Sequence, residues 1–525
     1  MKKIISIFLL SFSLLFAQEG GGIELPDFVI TGNENVTVPK MEKSQPNLIP
    51  LLSKDFFTPS NISDDQTSIS LPKIDNQVVS IPNYRQMTKA LLRLNAGIYT
   101  WPSGEFYYND WTGNLSYNAH LYGLNELEYI KYAGMSYAGI GLGSKYFVNH
   151  EADFLPGLEI DLNGNYLYES YNFYGSDKRS LERKTDEGNI SLSFNFASDS
   201  YRNFGISFDN EYYNQKDNSI SENIFSANAY VNLKLQQFDF LLNGGFKNQA
   251  INSKKYSEGN NSFFVTNASL AIYPFSFLYV RGGISYAESE GNTFFAPNAY
   301  ASLKMSKRFS VYGEFAPFTE FVTLKDFRNA NRYYQLNNFV DLFIENKFNI
   351  KLAAKYEYEK YFEISGGFGY VNTDNNFYFE DDSLNGIFAI HKTDSEKSFA
   401  FLNLLFRKGP FGEFYGNIIV QNISGNGSKN LPYNSEFLAD LSYSYNWANF
   451  GLNLTLNYFG KSYSDYQNTS EIPDAINLNA NFKYKLFENF DLTFSLQNLL
   501  NDKYYYFRNY KAKPFDLIAG IEFRW

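Results

Sequence analysis

The last twelve residues of the chain alternate between two kinds of side chain. Apolar residues occupy every second position, and they are Phe515, Leu517, Ala519, Ile521, Phe523 and the terminal Trp525. The positions between them are mostly polar or small, including Asp516, Gly520, Glu522 and Arg524. Because successive side chains of a β-strand point to opposite faces, this segment is predicted to form a strand with one apolar face. Such a strand fits between hydrocarbon and a watery lumen, as in the wall of a transmembrane β-barrel.

The same alternation recurs through most of the chain after Thr88. Clear apolar rows run from Ala90 to Ile98, from Phe348 to Tyr358, from Phe450 to Tyr458 and from Ile476 to Tyr484. A soluble β-sandwich shows the same alternation, so periodicity alone does not decide between the two folds. The number and the spacing of the strands decide.

The predicted connections alternate in length, which is typical of a transmembrane barrel with short periplasmic turns and long outer loops. An ambiguous stretch, Leu124 to Gly134, determines whether the strand count is odd or even. Because bacterial barrels of this kind have even strand numbers, the predicted fold is an all-β, antiparallel up-and-down barrel of about 22 strands, with about 20 as the fallback. The barrel is expected to span residues 87–525. Tight turns are expected near 200–201, 236–237, 274–275, 307–308, 408–409, 447–448 and 487–488, and long loops at 424–435, 462–474 and 501–513.

The N-terminus is predicted to be a secretory signal peptide. Lys2 and Lys3 precede an apolar run from Ile4 to Phe16, which Ala17 follows. As a helix this run spans only about 20 Å of a hydrocarbon core roughly 30 Å thick, which favours a cleaved signal, residues 1–17, over a membrane anchor. No later apolar stretch approaches the ~18 residues of a helical span, so a helical membrane protein is excluded. A secretory signal together with the strand pattern of a transmembrane barrel predicts that the chain lies in the bacterial outer membrane, in contact with its lipid.

The composition excludes two further classes. The chain has 52 Phe and 43 Tyr but no Cys, so it is not a small secreted domain held by disulfides. Its formal net charge of -11 falls to -13 when the two lysines of the signal peptide are removed. This acidic balance argues against nucleic acid as a partner.

Residues 18–86 differ sharply from the rest of the chain. From Gln18 to Pro82 there are seven of the sixteen prolines but only three aromatic residues, so the segment cannot build a core of its own. It is predicted to be a proline-rich periplasmic tail. Because wide barrels are kept plugged, we also expect residues 40–82 to occupy part of the lumen.

Several motifs resemble those of TonB-dependent receptors. The segment Glu345 to Lys347 stands where that family often has Pro-Glu-Lys before a strand, and Asn498 to Tyr504 resembles its Asn-Leu-Phe-Asp-Lys-x-Tyr segment before the last strand. The closing Gly520, Phe523 and Trp525 resemble the signal by which outer-membrane barrels are recognised for assembly. The resemblance implies the barrel fold, the outer-membrane location and the outer-membrane assembly machinery as a partner.

A motif near the N-terminus resembles the box that such receptors offer to TonB in the periplasm. It runs from Leu25 to Gly32, and its partner-binding residues are predicted to be Asp27, Phe28, Val29, Ile30, Thr31 and Gly32. A β-prone segment between glycines can add to the edge of a partner's sheet, with affinity from backbone hydrogen bonds. The resemblance thus implies TonB, or another periplasmic protein, as a partner. An incidental apolar spot in the tail is the alternative.

The chain departs from the family in one large respect. Receptors of this type have a folded plug domain between box and barrel, whereas only about 55 residues separate Gly32 from Thr88. We therefore expect a receptor-like barrel without its own plug, acting in transport or partner-gated uptake, with a separate plug polypeptide as a further candidate partner. A structural or adaptor barrel, anchoring a complex through residues 18–86, and a passive porin are the alternatives.

No constellation of residues predicts an enzyme, a cofactor or a metal centre. The histidines His120, His150 and His391 are widely separated in the sequence and offer no metal-binding spacing. The glycine-rich run Gly139 to Gly143 is expected to thin one face of a strand rather than to bind phosphate. Glu380 to Gly386 is acidic but lacks the ligand spacing of a calcium motif, so bound calcium there is a minor alternative.

Two aromatic groups are expected to lie at the membrane boundary as part of a girdle. They are Trp101, Tyr107, Tyr108 and Trp111 at the first loop, and Tyr504 to Phe507 with Tyr510 before the last strand. A platform for a carbohydrate or a hydrophobic ligand is the alternative.

Overall fold

The computed structural model describes residues 89–525 apart from gaps at 150, 154, 200–201, 236–237, 255–258, 337–341, 360 and 408–410. The predicted signal peptide, the tail and the motif at Asp27 to Gly32 lie outside the described residues, so they stay predictions. Among the residues described, no helix is long and apolar enough to cross a membrane.

Long antiparallel strands make up the wall of the molecule. They are β1 (Ala90–Gly97), β2 (Thr100–Thr112), β3 (Leu115–Glu126), β4 (Met135–Phe147), β5 (Leu158–Asn172), β6 (Glu182–Asp199), β7 (Arg202–Gln215), β8 (Ile220–Leu235), β9 (Phe238–Ser253), β10 (Gly259–Phe275), β11 (Leu278–Ser289), β12 (Asn292–Lys304), β13 (Phe309–Phe315), β14 (Phe318–Phe321), β16 (Phe343–Tyr358), β17 (Phe362–Glu380), β18 (Phe388–Arg407), β19 (Glu413–Gly425), β20 (Phe437–Trp447), β21 (Phe450–Phe459), β24 (Ala475–Phe487), β25 (Phe490–Gln497) and β28 (Asp516–Arg524). The connections hold α1 (Leu324–Ala330), β15 (Tyr334–Gln335), β22 (Ser462–Tyr463), β23 (Glu471–Ile472), β26 (Tyr505–Phe507) and β27 (Tyr510–Lys511).

The sheet closes on itself, because β1 pairs with β28 as well as with β2. The sheet comprises 24 strands, but β13 and β14 pair with successive parts of β16 and form one interrupted wall strand. β15 contributes only a two-residue parallel pairing with β18. When β13 and β14 are counted as one strand and β15 is left out, the 24 strands of the sheet give 22 wall strands. This confirms the predicted all-β barrel. Leu124 to Gly134 is not a strand of its own, since β3 ends at Glu126 and β4 begins at Met135.

The two faces of the wall differ as the sequence predicts. In β28, Ile521 and Phe523 are exposed on the outside, whereas Glu522 and Arg524 are buried on the inside. An apolar exterior and a polar interior are the faces of a barrel that stands in lipid around a watery lumen.

The two ends of the barrel also differ. Lys89 and Trp525 meet at one end, where the Lys89 amide donates to the Trp525 carbonyl at 2.8 Å. This end carries short turns such as 448–449, whereas the opposite end carries the long connections 322–342 and 498–515. Because short turns face the periplasm in barrels of this kind, we call the opposite end the outer mouth.

An ion-pair network lies inside the wall where the barrel closes. Arg93 of β1 pairs with Glu522 of β28 at 2.8 Å and with Glu105 of β2 at 3.1 Å. Lys483 of β24 contacts the same Glu522 at 2.7 Å. These side chains tie the first two strands to the last ones, and each charge has a partner within the lumen.

Candidate gate at the outer mouth

The connection between β14 and β16 contains a short helix with a complete N-terminal cap. We call the described part of this connection, residues 322–336, the cap segment. The Thr323 hydroxyl accepts a hydrogen bond from the Asp326 amide at 3.1 Å, and the Asp326 carboxylate accepts one from the Thr323 amide at 2.9 Å. These reciprocal bonds satisfy backbone groups that the start of a helix leaves free, so α1 forms within a loop.

The cap segment reaches a distant part of the wall. The Leu324 amide donates to both carboxylate oxygens of Glu222 in β8, at 3.1 Å each. Arg328 forms an ion pair with Glu169 in β5 and lies 3.8 Å from Glu187 in β6. Since β9 to β12 stand between β8 and the interrupted strand formed by β13 and β14, the cap segment crosses the mouth instead of following its rim. All three carboxylates are buried, so losing their partners would be costly.

Arg183 of β6 fixes the far end of the cap segment. Its guanidinium donates to the carbonyls of Arg332 at 3.0 Å and Tyr334 at 2.8 Å, and it pairs with Asp217 at 3.2 Å. The guanidinium also lies 4.7 Å from the centre of the Phe173 ring. Only 1% of Arg183 is exposed, so this one side chain joins the wall, the cap segment and the β7–β8 connection without contact with solvent.

Connections from opposite sides of the barrel meet in the mouth. The Asp177 amide, in the β5–β6 connection, donates to the Asn385 carbonyl in the β17–β18 connection at 2.9 Å. With β13 and β14 taken as one strand, β17 is the fifteenth wall strand and lies nearly opposite β5 in a barrel of 22. The approach is close, because a methyl group added to Gly386 would lie 2.5 Å from the Gly175 carbonyl. Gly386 also has a φ of +78°, which favours glycine.

A packed aromatic cluster joins these connections to the cap segment. The rings of Tyr333 and Tyr510 stack with centroids 3.6 Å apart, and Tyr333 also contacts Phe173 at 5.8 Å and Phe507 at 6.1 Å. The Tyr510 hydroxyl donates to the Gly386 carbonyl at 2.7 Å. Burial raises the pKa of both tyrosines well above the ordinary value, so their hydroxyls stay neutral. Each buried ring contributes about 1.5–3 kcal/mol, so the cluster stabilises the contact between these connections.

The girdle prediction is therefore wrong for part of the aromatic segment before β28. Tyr504, Phe507 and Tyr510 are buried in the connections of the mouth, and only Tyr505 is strongly exposed. Amphipathic rings suit a buried loop cluster as well as a membrane boundary, so the sequence did not separate the two. The other aromatic group does not lie at a loop as predicted, because Trp101, Tyr107, Tyr108 and Trp111 all fall within β2. Trp101 and Trp111 are exposed near opposite ends of that strand, whereas Tyr107 stacks on His120.

A cavity with mixed polar and apolar lining lies inside the barrel. Its volume is about 720 Å³, and Phe294, a buried residue of the hydrophobic core, lines it. Most of its polar lining comes from amides and hydroxyls on neighbouring strands, namely Asn195, Ser207, Asn228, Asn243, Asn267, Ser269, Ser285 and Asn298. Arg281 also lines it, 3.9 Å from Glu314 and stacked at 5.3 Å on Tyr300. Apolar side chains such as Ile206, Val265 and Phe315 make up the larger part of the lining, so the cavity offers hydrogen bonds within a mainly apolar surface.

Two of the three histidines, His120 and His391, fall on the described residues. His120 is stacked between Tyr107 at 4.0 Å and Tyr122 at 4.6 Å. A methyl group on Gly139 would lie 2.3 Å from the Tyr122 ring, so glycine makes room for that ring as the sequence analysis expected. His150 lies outside the described residues.

The third histidine, His391, lies close to the acidic run that begins at Glu380, the last residue of β17. Donor atoms of Glu380, Asp382 and His391 all lie within 4.8 Å of one another. Spacing along the sequence suggested no metal site, because His391 reaches the two carboxylates only through the β17–β18 pairing. That pairing places Tyr378 opposite His391 and Glu380 opposite Ala389.

The predicted assembly residues lie in the closing strand. Phe523 and Trp525 are exposed on the outside, with ring centroids 5.3 Å apart. Gly520 lies between β25 and β1, where an added methyl would meet Asn95 Oδ1 at 2.1 Å and Thr493 Oγ1 at 2.6 Å. Their role in assembly stays a prediction.

These features define a class, a closed 22-strand outer-membrane barrel whose mouth is crossed by its own connections. No protein-family model matches the sequence, and no curated protein matches it either. Solved structures, however, share the fold. The ferric-catecholate import receptor Fiu from Escherichia coli K12, in its closed form, has a TM-score of 0.65 at 10% identity, covering 84% of this chain and 82% of that chain.

Two further structures agree. The siderophore receptor PiuA from Acinetobacter baumannii has a TM-score of 0.64 at 12% identity, and the FrpB iron transporter from Neisseria meningitidis has 0.64 at 11%. Both comparisons cover 84% of this chain and 82% of the other. The chain thus has the barrel fold of TonB-dependent receptors, as its motifs predict, and the fold is one of the bacterial outer membrane.

Proposed function

We propose that the chain is a gated transport barrel of the outer membrane, of the TonB-dependent receptor type, in which a solute passes after the cap segment moves. The observation that carries the proposal is the bridged mouth, where the Asp177–Asn385 hydrogen bond and the stack of Tyr333 on Tyr510 join opposite sides. A passive porin needs a permanently open water path. A packed mouth therefore favours gating over the porin alternative.

The lining of the cavity and the names of the similar structures suggest which solutes to test. The amide- and hydroxyl-lined cavity offers hydrogen bonds to a polar solute that has passed the cap segment. Fiu is named as an import receptor for ferric catecholates and PiuA as a siderophore receptor, so ferric siderophores are the first solutes to test. The proposed transport involves no chemical step, so the proposed role is not enzymatic.

The partner that supplies energy would bind on the periplasmic side. Asp27 to Gly32 is proposed to add as a strand to TonB or another periplasmic protein. Val29→Pro removes a backbone donor from that strand and should abolish the interaction, measured by site-directed cross-linking to TonB. Val29→Ala keeps the donor and serves as the control. Equal cross-linking of both variants would mean that the motif is only part of a leader.

The gate is tested by loosening the cap segment in cells. Arg183→Ala removes the side chain that holds the carbonyls of Arg332 and Tyr334, so the mouth should open more often. Cells with this variant in their outer membrane should become sensitive to vancomycin, which is normally excluded by size. Arg179→Ala removes the same charge from an exposed position in the neighbouring connection and should leave sensitivity unchanged.

A reversible lock completes the test. The chain has no cysteine, so Asp177→Cys with Asn385→Cys would introduce a single pair at a place where the two backbones already touch. In the Arg183→Ala background, oxidation of this pair should restore resistance and reduction should remove it. If the locked protein supports siderophore uptake as well as the reduced one, uptake does not require this mouth to open and the proposed gate is rejected.

A further inference from the structure

The connection between β17 and β18 holds a mixed set of metal-binding side chains. His391 Nε2 lies 2.9 Å and 3.0 Å from the two carboxylate oxygens of Asp382. Glu380 contributes a second carboxylate, and the donor atoms of the three residues are all within 4.8 Å of one another. All three side chains retain some exposure, so a dissolved ion and its remaining water ligands can reach them.

Two of these side chains are held in position by a single aromatic stack. The Tyr378 ring stacks on His391 at 5.2 Å and on Tyr466 at 5.0 Å. The Tyr466 amide in turn donates to Glu380 Oε1 at 3.2 Å. Outer contacts that orient an imidazole and a carboxylate toward one point are what metal sites use to fix their ligands. A simple surface ion pair between His391 and Asp382 would not account for the third donor.

We propose that Glu380, Asp382 and His391 bind a divalent first-row transition metal of the Zn²⁺ type. Imidazole is a ligand for Zn²⁺, Ni²⁺ and Fe²⁺, whereas Ca²⁺ and Mg²⁺ prefer oxygen ligands alone. The acidic run alone suggested calcium, and His391 changes the preferred ion. Two ligands on one tetrahedral zinc are roughly 3.4 Å apart, so His391 and Asp382 need to separate by only about half an ångström.

The position of the site gives the metal a role in the closed mouth. Asp382 and His391 flank the short segment that carries Asn385 and Gly386, which contact the β5–β6 connection and Tyr510. A bound ion would tether both ends of this segment and hold it against the opposite connection. This expected role rests on the proposed gate, whereas metal binding itself does not.

Binding is tested on the purified full chain in detergent, without a histidine tag, by calorimetric titration with Zn²⁺. One equivalent is expected per chain, with affinity at least tenfold weaker in His391→Gln and in Asp382→Asn. His120→Gln changes an imidazole inside the barrel and should titrate like the wild type. Ca²⁺ in tenfold excess over Zn²⁺ should leave the Zn²⁺ titration unchanged.

Two results would overturn the site: unchanged Zn²⁺ affinity in both variants, or displacement of Zn²⁺ by that excess of Ca²⁺. Heat-modifiable migration on gels checks that each variant is folded. Hydrogen exchange at residues 381–391 should slow in wild type when Zn²⁺ is added and should not change in His391→Gln. Binding without slower exchange would retain the metal site and reject its role in the mouth.

Discussion

Asp177 and Asn385 leave nearly opposite sides of the barrel, yet the amide of the first donates to the carbonyl of the second at 2.9 Å. Two connections that meet in this way cannot leave the mouth fully open between them. The cap segment fills the space beside them through the stack of Tyr333 on Tyr510. The contacts that cross the outer mouth therefore come from the chain's own connections, and we propose that these connections close it.

Tyr333→Ala should loosen the cap segment without unfolding the barrel. Removing a buried aromatic ring from a packed cluster costs about 3–5 kcal/mol. Because few strand pairings depend on Tyr333, the loss should appear as faster proteolysis within residues 322–342, while heat-modifiable migration stays normal. Tyr505→Ala removes an exposed ring and is the control. Equal proteolysis of the two variants would show that the cluster does not hold the cap segment.

The ion pair at the closing seam should matter more than a similar pair outside it. Arg93→Ala leaves the buried Glu522 without one of its cations, which should lower the free energy of unfolding by roughly 2–4 kcal/mol, somewhat less than for a fully buried pair. Lys89→Ala breaks an exposed pair with Asp110 and should have little effect. Urea unfolding in lipid vesicles measures both. An unchanged midpoint for Arg93→Ala would contradict this account of closure.

Gly520→Ala should impair closure of the barrel between β28 and its neighbours. The added methyl would meet Asn95 Oδ1 and Thr493 Oγ1, and overpacking of this kind costs about 1–3 kcal/mol. Gly282→Ala places a methyl where nothing lies within 4 Å, so it isolates the effect of crowding. The temperature at which the barrel loses its folded gel mobility should fall for Gly520→Ala only.

Deletion of Trp525, or Phe523→Asp, should reduce assembly into the membrane. Both residues face outward on the closing strand, where a charge costs roughly 2–4 kcal/mol near the midplane and less near the interface. Leu384→Asp changes an exposed apolar residue in an outer connection and should assemble normally. Wild-type amounts of membrane-inserted, heat-modifiable protein in the Phe523 and Trp525 variants would reject their predicted role in assembly.

The sequence predicted the wall better than the mouth, because strand faces are encoded locally. The alternation in β28 sets which residues meet lipid, and it needs no knowledge of distant partners. The predicted short turns and long loops agree with connections such as 448–449 and 498–515, but the alternation in length has exceptions. The outer connections 98–99 and 290–291 are only two residues long, whereas the periplasmic connection 148–157 is longer.

The mouth was not predictable, because its contacts join residues that are far apart in sequence. Tyr510 packs on Tyr333 and Tyr174, and no local pattern links these three rings. The predicted occupation of the lumen by residues 40–82 was argued from the need to close a wide pore, and the connections meet that need at the outer end. Residues 40–82 lie outside the described residues, so their occupation of the lumen stays a prediction. The site of His391 could have been found from the sequence only by assigning the pairing of β17 with β18. In that pairing the side chains of His391 and Glu380 lie on the same face of the sheet.

The central claim is that the connections, rather than the tail, close the outer mouth. Single-channel conductance in planar bilayers tests it most directly, with the tail deletion lacking residues 18–82 compared with and without Arg183→Ala. We predict that the tail-deleted barrel with an intact cap segment carries no steady current and that the added Arg183→Ala produces steady open-channel current. Equal, steady currents from both proteins would contradict the account and assign closure to the tail.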